Sequence, residues 1–343
     1  MNLKSLNWNT LERLRKSFLE AKPDAGDYWT RFEDLRDYDL TFAQRIAWKW
    51  DAVLAELQRI GWEPPRGEWL DWGCGSGIAS RRAVPALGGD TRREVGCFDR
   101  SGRAMRFATE AATKEMLNAR FETVKADALP PRKPLGLLLI SHVLNELNEE
   151  QRASLVRLVR RSKAVIWVEP GSKDDSRALS GVRDELLNEF NAVAPCTHTG
   201  PCGMLRREND RHWCHFFTQA PVGVRGNIEW QGFAKRLGID LRSLPYSYIV
   251  MENKLLKREV RETPDLSRVI GKPRVYKGTL KVLGCSDKEL EDREAQKRDV
   301  PDFFKDCRKG AIGPLYRFRI EGERIKGVED GIGAEAGTEA AEE

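Results

Sequence analysis

The sequence lacks any long hydrophobic run. Its longest apolar stretch of note, Leu135 to Ile140, is far shorter than the roughly 18 residues that a membrane-spanning helix needs. No apolar signal-peptide core stands near the first residue, and Glu12 and Glu20 are unlike the acid-poor composition of organelle transit peptides. We therefore expect a protein without membrane association.

A disulfide framework is also lacking. The seven cysteines are an odd number and no secretory signal accompanies them, so we expect a reducing compartment. Hydrophobic residues make up 40% of the chain and charged residues 32%, a balance that excludes extended disorder and collagen. The 343 residues suffice for about two domains.

Basic residues outnumber acidic ones in the chain before residue 327. Residues 327–343 contain six acidic residues and no basic one, and removing them from the net charge of +5 leaves +11 for residues 1–326. A body this basic favours a polyanionic partner, and scattered surface lysines are the plain alternative. The Gly/Ala/Glu-rich segment 327–343 has too few apolar residues to fold, so it is expected to be a disordered tail.

The hydrophobic pattern indicates an α/β fold. Residues 1–65 show helical spacing and end in a proline- and glycine-rich breaker. Short apolar strands then alternate with helices, which predicts a parallel, doubly wound sheet over residues 66–193. A smaller β-rich unit is expected over residues 194–326. The five predicted strands cover residues 68–72, 95–98, 121–125, 137–141 and 164–168.

A glycine-rich loop follows the first predicted strand. The run Leu70-Asp71-Trp72-Gly73-Cys74-Gly75-Ser76-Gly77 has the spacing Gly-x-Gly-x-Gly rather than the Gly-x-Gly-x-x-Gly of dinucleotide-binding folds. Glycines let the backbone turn sharply and approach a ligand, and the amides of the following helix favour negative charge. Asp71 at the strand end suits a small cationic ligand better than a pyrophosphate.

Acidic residues also close the next two strands. Asp99 is placed to accept hydrogen bonds from a ribose diol, and Asp127 stands where an adenine amino group would lie. With the glycine loop, this order resembles the class I S-adenosylmethionine (SAM)-dependent methyltransferases over about residues 66–170. The resemblance implies SAM as cofactor, bound by Asp71, Gly73, Gly75, Gly77, Asp99 and Asp127. A Rossmann-like domain with a purely structural loop is the alternative.

The catalytic residues are not identified by the sequence. The Asn/Asp-Pro-Pro-aromatic motif of many nucleic-acid amino-methyltransferases is missing after the fourth strand, where the chain reads Ser141-His142-Val143-Leu144-Asn145-Glu146-Leu147. His142 is a candidate for the cofactor site and for a general base, with a structural role as the alternative. Asn145 and Glu146 are candidates for lining the methyl-donor pocket or capping the next helix.

Three cysteines are clustered in the second half of the chain. Cys196, Cys202 and Cys214 have the spacing C-x5-C-x11-C, and three thiolates need a fourth ligand for a tetrahedral zinc or a cuboidal iron–sulfur site. The paired spacing of zinc ribbons is missing, and prolines precede Cys196 and Cys202. Buried free cysteines are the alternative. The candidates for the fourth ligand are His198, His212, His215, Cys285 and Cys307.

The order of several segments resembles one family. The glycine loop, residues 141–147, Val168-Glu169-Pro170-Gly171-Ser172, the Cys196/Cys202 loop and Trp213-Cys214-His215-Phe216 are similar to the methyltransferase-like assembly factors of the mitochondrial small ribosomal subunit and their bacterial relatives. The similarity covers roughly residues 40–290. It implies a [4Fe–4S] cluster whose first three ligands match Cys196, Cys202 and Cys214. The fourth ligand follows a strand and matches Cys285 best, whereas Cys74 and Cys97 do not fit.

The family resemblance also implies small-subunit rRNA as the partner. Basic residues accompany Tyr276, which is suited to stacking on a base, in the strand-rich stretch beside Cys285. An ordinary solvated β-surface is the alternative. The basic residues of this stretch are Arg268, Lys272, Arg274, Lys277 and Lys281, and a second group comprises Lys305, Arg308 and Lys309.

The leading hypothesis is therefore a SAM-binding, iron–sulfur-containing, methyltransferase-like protein that acts on the small ribosomal subunit. The alternatives are a catalytically inactive rRNA-binding assembly factor and a zinc-containing methyltransferase of another substrate. We expect a monomer off the ribosome, in the bacterial cytoplasm or, for a eukaryotic protein, the mitochondrial matrix.

Overall fold

The chain forms two compact units in a computed structural model that describes residues 6–20, 26–88, 93–258, 265–287 and 289–331. The first unit comprises Met1–Pro170 and Thr218–Tyr248, and the second comprises Gly171–Phe217 and Ile249–Glu343. The units therefore do not follow the chain-order boundaries expected at residues 193 and 194, because the chain crosses between them three times. Among the described residues, every helix is too short or too polar to cross a membrane.

The parallel sheet of the first unit contains all five predicted strands. Each strand pairs in parallel with its neighbours, in the order β3-β2-β1-β4-β5, and β8 (Leu244–Asn253) follows β5. β1, β4 and β5 are almost fully buried, as strands covered on both faces must be. The expected doubly wound α/β class is confirmed. The bounds are β1 Trp69–Trp72, β2 Arg93–Phe98, β3 Ala119–Thr123, β4 Leu135–Ser141 and β5 Ser162–Pro170.

Helices precede and separate these strands. Several begin at side-chain caps: Ser101 accepts from the amide of Ala104, and Asn148 forms a capping box with Gln151. The helices of this unit are α1 Trp8–Leu19, α2 Phe32–Asp39, α3 Phe42–Arg59, α4 Ile78–Leu87, α5 Gly102–Glu115, α6 Glu149–Val159, α8 Val222–Arg225 and α9 Ile228–Leu237.

The N-terminal helices are held by a buried carboxylate and an apolar cluster. Asp34 is fully buried and accepts hydrogen bonds from Arg13 at 2.6 Å and from the Thr30 hydroxyl at 2.7 Å. Leu11, Leu14 and neighbouring aromatic side chains pack with α9 in one buried cluster. This packing positions α1 and α3 near the carboxyl ends of β1 and β4.

The second unit contains a closed barrel. Its described strands follow the order β10-β11-β13-β12-β9, and α10 packs Phe303 and Phe304 against the barrel interior. β6 runs antiparallel to residues 250–253 of β8. The elements of this unit are α7 Lys173–Leu186, β6 Phe190–Ala194, β7 Phe216–Thr218 (which reaches into the first unit), β9 Ser267–Val275, β10 Thr279–Cys285, β11 Leu290–Gln296, α10 Pro301–Lys309, β12 Leu315–Glu321 and β13 Arg324–Asp330.

One expectation about the C-terminal part needs correction. The charged stretch 290–296 forms β11, in which Ala295 packs in the barrel interior. Residues 327–330 of the expected disordered tail belong to β13, where Val328 packs against the same core. Residues 332–343 lie outside the described residues.

Truncation of Phe303 tests the barrel core. The side chain is 7% exposed and meets Tyr316 edge-on at 4.8 Å between ring centroids. We expect Phe303→Ala to lower the free energy of unfolding by about 3–5 kcal/mol, measured by urea denaturation. Leu255→Ala, at a position 85% exposed in the same unit, is the control and should change it little. Equal effects would contradict the assigned core.

Candidate cofactor cavity and cysteine cluster

A cavity of about 770 Å³ lies at the carboxyl ends of β1, β2 and β4 in the first unit. This size is typical of small-molecule sites, and ligands of open α/β sheets bind at the point where the strand order reverses, here between β1 and β4. The lining mixes aromatic, charged and loop residues. Among the lining residues are Phe18, Tyr28, Trp29, Tyr38, Phe42, Arg45, Lys49, Trp72, Gly73, Gly75, Asp99, His142, Asn145 and Glu146.

The glycine loop needs its glycines for three different reasons. Gly73, Gly75 and Gly77 all have positive φ values, of 70°, 52° and 76°. A Cβ on Gly73 would lie 2.7 Å from Val143, and one on Gly77 would lie 2.9 Å from Ala108. A Cβ on Gly75 would meet nothing within 4 Å, because this residue faces the open cavity. Gly73 and Gly75 thus line the cavity, while Gly77 packs against α5.

Asp71 binds the first turn of α4, which directly follows the glycine loop. It is 1% exposed, and its Oδ2 accepts hydrogen bonds from the Ser80 amide at 3.1 Å and hydroxyl at 2.6 Å. Burial raises the pKa of Asp71 to about 7, and the two Ser80 hydrogen bonds oppose that shift. Asp71 is not among the described lining residues, so in this conformation it holds the first turn of α4, which follows the loop, rather than a ligand.

Asp99 lines the cavity and forms a hydrogen bond with the glycine loop. Its two oxygens accept the Gly75 and Ser101 amides, each at 2.9 Å. Burial raises the pKa of Asp99, whereas these two amide hydrogen bonds lower it. A carboxylate has about four acceptor positions, so a ribose hydroxyl can be bound as well.

A third buried carboxylate, Glu169 at the end of β5, holds the segment after β4. Its Oε1 accepts the amides of Val143 and Leu144 at 3.1 and 3.2 Å and the Trp167 indole at 2.6 Å. Glu169 stood in the family-like segment 168–172 but was not predicted to act at the site. Like Asp71 and Asp99, Glu169 is an acidic residue at the end of a strand, and this shared position is the feature of the sequence from which its role could have been predicted.

His142 lines the cavity in a strained conformation, with φ of 56°. Its Nε2 lies 3.0 Å from Lys49 Nζ and its Nδ1 lies 3.2 Å from Ser141 Oγ, which also accepts the Trp50 indole at 3.0 Å. Burial, then Lys49 and Arg45, lower the pKa of His142 well below its usual range, so the ring is neutral at pH 7. An ammonium only donates, so Nε2 accepts from Lys49 and the ring proton is on Nδ1.

Glu146 lines the cavity as the sequence suggested, and Asn148 rather than Glu146 caps the next helix. Glu146 accepts from the Tyr28 hydroxyl at 3.3 Å and from Arg100 at 3.2 Å. Asp127 is exposed in a short 3₁₀ turn and is not among the described lining residues, so the structure does not bring it to the cavity.

The four predicted cluster cysteines come together in the second unit. Cys196 and Cys202 lie in the loop after β6, Cys214 precedes β7, and Cys285 ends β10. Burial raises the pKa of Cys214 well above its usual range, and the nearby Cys196, Cys202 and Cys285 raise it further. Burial and the charges of Cys196 and Cys202 raise the pKa of Cys285 to about 12.

Two buried arginines face these cysteines. Arg183 and Arg268 are 2% and 4% exposed. Arg183 donates to Asp184 at 2.6 Å and to the Gly200 and His198 carbonyls at 2.8 and 3.0 Å. Arg268, paired with Cys285 across β9 and β10, donates to the Pro195 carbonyl at 2.8 Å. Both arginines lower the pKa of Cys285 against the effect of burial.

The other candidate ligands are differently engaged. His215 stacks on Trp213 at 4.7 Å between centroids, and His212 Nε2 lies 2.9 Å from Arg211 Nε. Cys307 is buried in the barrel core among apolar side chains. Among the described residues, no group of three or more His, Cys, Asp or Glu side chains has an arrangement ready to hold a metal ion.

The basic surface predicted near Cys285 is only partly as expected. Arg268 does not belong to it, because this side chain is buried beside the cysteines. Arg274 forms an ion pair with Asp292, and Lys272 lies 4.3 Å above the Phe217 ring. Tyr276 is 54% exposed. The remaining exposed basic residues are Lys277, Lys281, Lys305, Arg308 and Lys309.

Cavity-lining residues missed by the sequence analysis come from α1–α3 and the segment before α2. Arg15, Tyr28, Tyr38, Arg45 and Lys49 belong to this group. Helical spacing predicted α1 and α3, but it does not reveal which polar residue of a helix meets a distant loop. A buried lysine on an otherwise apolar helix face, as at Lys49, is the one signal the sequence offered.

Comparison with known proteins identifies one family. The family described as "Mitochondrial small ribosomal subunit Rsm22" matches residues 41–317. No curated relative matches the sequence.

Three solved structures are similar to parts of this chain. A putative RNA methyltransferase from Pyrococcus horikoshii is 10% identical, with a TM-score of 0.39, over 74% of this chain and 100% of that chain. The N-methyltransferase NodS from Bradyrhizobium japonicum, solved with S-adenosylhomocysteine (SAH), is 12% identical, with a TM-score of 0.39, over 71% and 98%. Magnesium protoporphyrin IX methyltransferase from Synechocystis, solved with SAM, is 15% identical, with a TM-score of 0.38, over 72% and 91%. The class I methyltransferase-like fold expected from the sequence is confirmed, and the strand order described above carries that assignment.

The buried Asp71 predicts a measurable pH dependence. A protonated Asp71 adds stability that is lost as the pH rises through about 7. We therefore expect wild-type protein to lose about 2–3 kcal/mol relative to Asp71→Asn between pH 5 and pH 8, since one pKa unit corresponds to about 1.4 kcal/mol. Urea denaturation across that range measures it. The exposed Asp127→Asn is the control, and a flat difference for Asp71→Asn would refute the shift.

Proposed function

The chain belongs to the mitochondrial small ribosomal subunit Rsm22 family, and on that basis we propose that it binds SAM and acts on small-subunit rRNA during ribosome assembly. The observation that carries the proposal is the cavity at the carboxyl ends of β1, β2 and β4, with Gly75 facing its open space. No other described cavity is built by the glycine loop.

The residues of the cavity fit SAM. A side chain at Gly75 would occupy the space in which a ligand approaches the loop. Asp99 is positioned to accept ribose hydroxyls, and the aromatic wall near Tyr28 and Trp72 suits an adenine ring. When bound, SAM supplies an electrophilic methyl group. This chain's own residues would position the acceptor beside it, and positioning accounts for most of the rate of such a displacement.

We also propose that Cys196, Cys202, Cys214 and Cys285 hold a [4Fe–4S] cluster, with zinc as the alternative occupant. Four thiolates are a suitable donor set for either. The charge balance supports the proposal, because Arg183 and Arg268 are buried cations beside these four sulfurs. A cluster held by four thiolates carries negative charge, and buried cations beside it would stabilise that charge. The cluster would then tie the 196–214 segment to the barrel.

A non-enzymatic assembly factor is the second candidate. The observation that favours it is His142, whose two ring nitrogens are occupied by Lys49 and Ser141. A general base must be within hydrogen-bonding reach of the proton that it takes. A SAM-dependent conformational role in assembly needs no such base.

Methyl transfer distinguishes the two candidates. Tritium-labelled SAM would be incubated with the protein and either naked small-subunit rRNA or immature subunits. Label at one nucleotide supports the enzyme, and no incorporation with retained rRNA binding supports the assembly factor. Lys277→Glu together with Lys281→Glu should weaken rRNA binding in either case and reduce its salt dependence.

A larger side chain at Gly75 should block the cofactor. We expect Gly75→Leu to abolish SAH binding, measured by isothermal titration calorimetry, because the side chain would enter the cavity. The strain at a positive φ costs about 1–2 kcal/mol. Gly322→Leu, at a φ of 61° with open space in the second unit, is the matched control and should bind SAH normally. Unchanged binding by Gly75→Leu would place the ligand elsewhere.

Loss of Arg183 should destabilise the cluster. We expect Arg183→Met to lose iron at least about tenfold faster under a chelator, because one uncompensated buried charge costs about 3–5 kcal/mol. Iron per chain and the visible spectrum are the readouts. Arg177→Met is the control, because Arg177 also lies on α7 and donates to the Met204 and His212 carbonyls. Equal iron retention by both variants would contradict the charge argument.

A further inference from the structure

The cavity of the first unit has a basic wall that the proposed contacts do not use. It comprises Arg15 on α1 and Arg45 and Lys49 on α3. Arg45 and Lys49 are four residues apart, so they lie on the same face of the helix, one turn from each other. Lys49 is 7% exposed and has three N–H donors, one of which His142 accepts.

The charge of Arg15 and Arg45 is not balanced by the described protein groups. Neither forms an ion pair with a described carboxylate, and Arg45 Nε is buried without a hydrogen-bond partner among the described residues. Arg15 donates to the Gly238 carbonyl at 3.3 Å. Burial and the nearby charge of Arg15 lower the pKa of Arg45 to about 10, so it remains a cation at neutral pH.

The carboxylates of the cavity are committed to other partners. Asp99 accepts two backbone amides, and Glu146 accepts Arg100 and Tyr28. Asp240 accepts Arg242 through both oxygens, at 3.1 and 3.3 Å. Arg45 is a partly buried cation without a described counter-ion, so a ligand that brings an anion to this wall would stabilise it.

We propose that Arg15, Arg45 and Lys49 form an oxyanion-binding subsite of the cavity. The inference rests on the proposed SAM site and adds to it the anchoring of a carboxylate or phosphate group. A guanidinium binds either group through two parallel N–H donors, and Lys49 adds a point charge. Two sources can supply the oxyanion: the carboxylate of the amino-acid part of SAM, or a phosphate of the RNA acceptor.

The subsite would fix the orientation of a ligand in the cavity. Asp99 offers acceptors to hydroxyl groups, while Arg45 and Lys49 offer donors to an anion. A ligand with a ribose and a carboxylate can satisfy both only in one orientation. Arg45 is then a binding residue, and His142 acts through Lys49 as a positioning residue.

Binding of two adenosine ligands distinguishes the contribution of the subsite from that of the rest of the cavity. SAH carries the carboxylate, and 5′-methylthioadenosine has the same adenosine thioether without it. We expect Arg45→Met to weaken SAH binding by about tenfold to a hundredfold, as for one lost charge-assisted hydrogen bond, with 5′-methylthioadenosine unchanged. Arg45→Lys keeps the positive charge, so it should weaken SAH binding less than Arg45→Met does. Arg106→Met, an exposed arginine of α5 outside the lining, is the control.

A second titration tests the phosphate source. If Arg45→Met leaves SAH binding unchanged but weakens a short small-subunit rRNA oligonucleotide and lowers its salt slope by about one, the oxyanion is a phosphate. Equal weakening of SAH and 5′-methylthioadenosine, or no change with any of the three probes, overturns the subsite. Wild-type protein that binds neither adenosine ligand would instead refute the SAM proposal, and the RNA titration would still test the subsite.

Discussion

Buried carboxylates at the ends of parallel strands organise the candidate site. Asp71, Asp99 and Glu169 lie at or next to the ends of β1, β2 and β5. Asp99 and Glu169 accept backbone amides from neighbouring loops, and Asp71 accepts the Ser80 amide in the first turn of α4. Each is 1% exposed or less, or lies in the cavity wall, where an unsatisfied carboxylate would be costly. Hydrogen bonds to Asp99 and Glu169 thus hold the glycine loop and the 142–147 segment, both of which line the cavity.

Buried charged groups also organise the proposed site of the second unit, but there they are cations rather than carboxylates. There the buried groups are the cations Arg183 and Arg268, and their neighbours are four cysteines from separate segments of the chain. Backbone carbonyls and Asp184 satisfy part of their hydrogen-bonding capacity. Thiolates that hold the proposed cluster would supply negative charge beside these two arginines. Charge burial thus connects both proposed cofactors to features of the protein itself.

Local patterns in the sequence predicted the parts of the fold that depend on local physics. The five strands and the glycine loop were found, because periodicity and backbone freedom leave marks within a few residues. The division into two discontinuous units was not found, because nothing local shows that residues 218–248 return to the first unit. The charged strand β11 was missed because closure of the barrel, rather than its own composition, determines its conformation.

The candidate site shows the same limit. Asp71, Gly73, Gly75, Asp99 and His142 lie around the loop as the sequence indicated, whereas Asp127 lies elsewhere. Arg45 and Lys49 were missed because their importance arises from the packing of α3 against the end of β4. Long-range packing of this kind decides which charges are buried, and buried charges lie at both proposed sites.

The most direct measurement is a crystal structure of the anaerobically purified full chain with SAH. The account predicts SAH density in the cavity, with its ribose within hydrogen-bonding distance of Asp99 and its thioether beside the 73–77 loop, and metal density among Cys196, Cys202, Cys214 and Cys285. An empty cavity at saturating SAH, or SAH bound away from Gly75 and Asp99, would contradict the central claim that the strand-end carboxylates shape a SAM site.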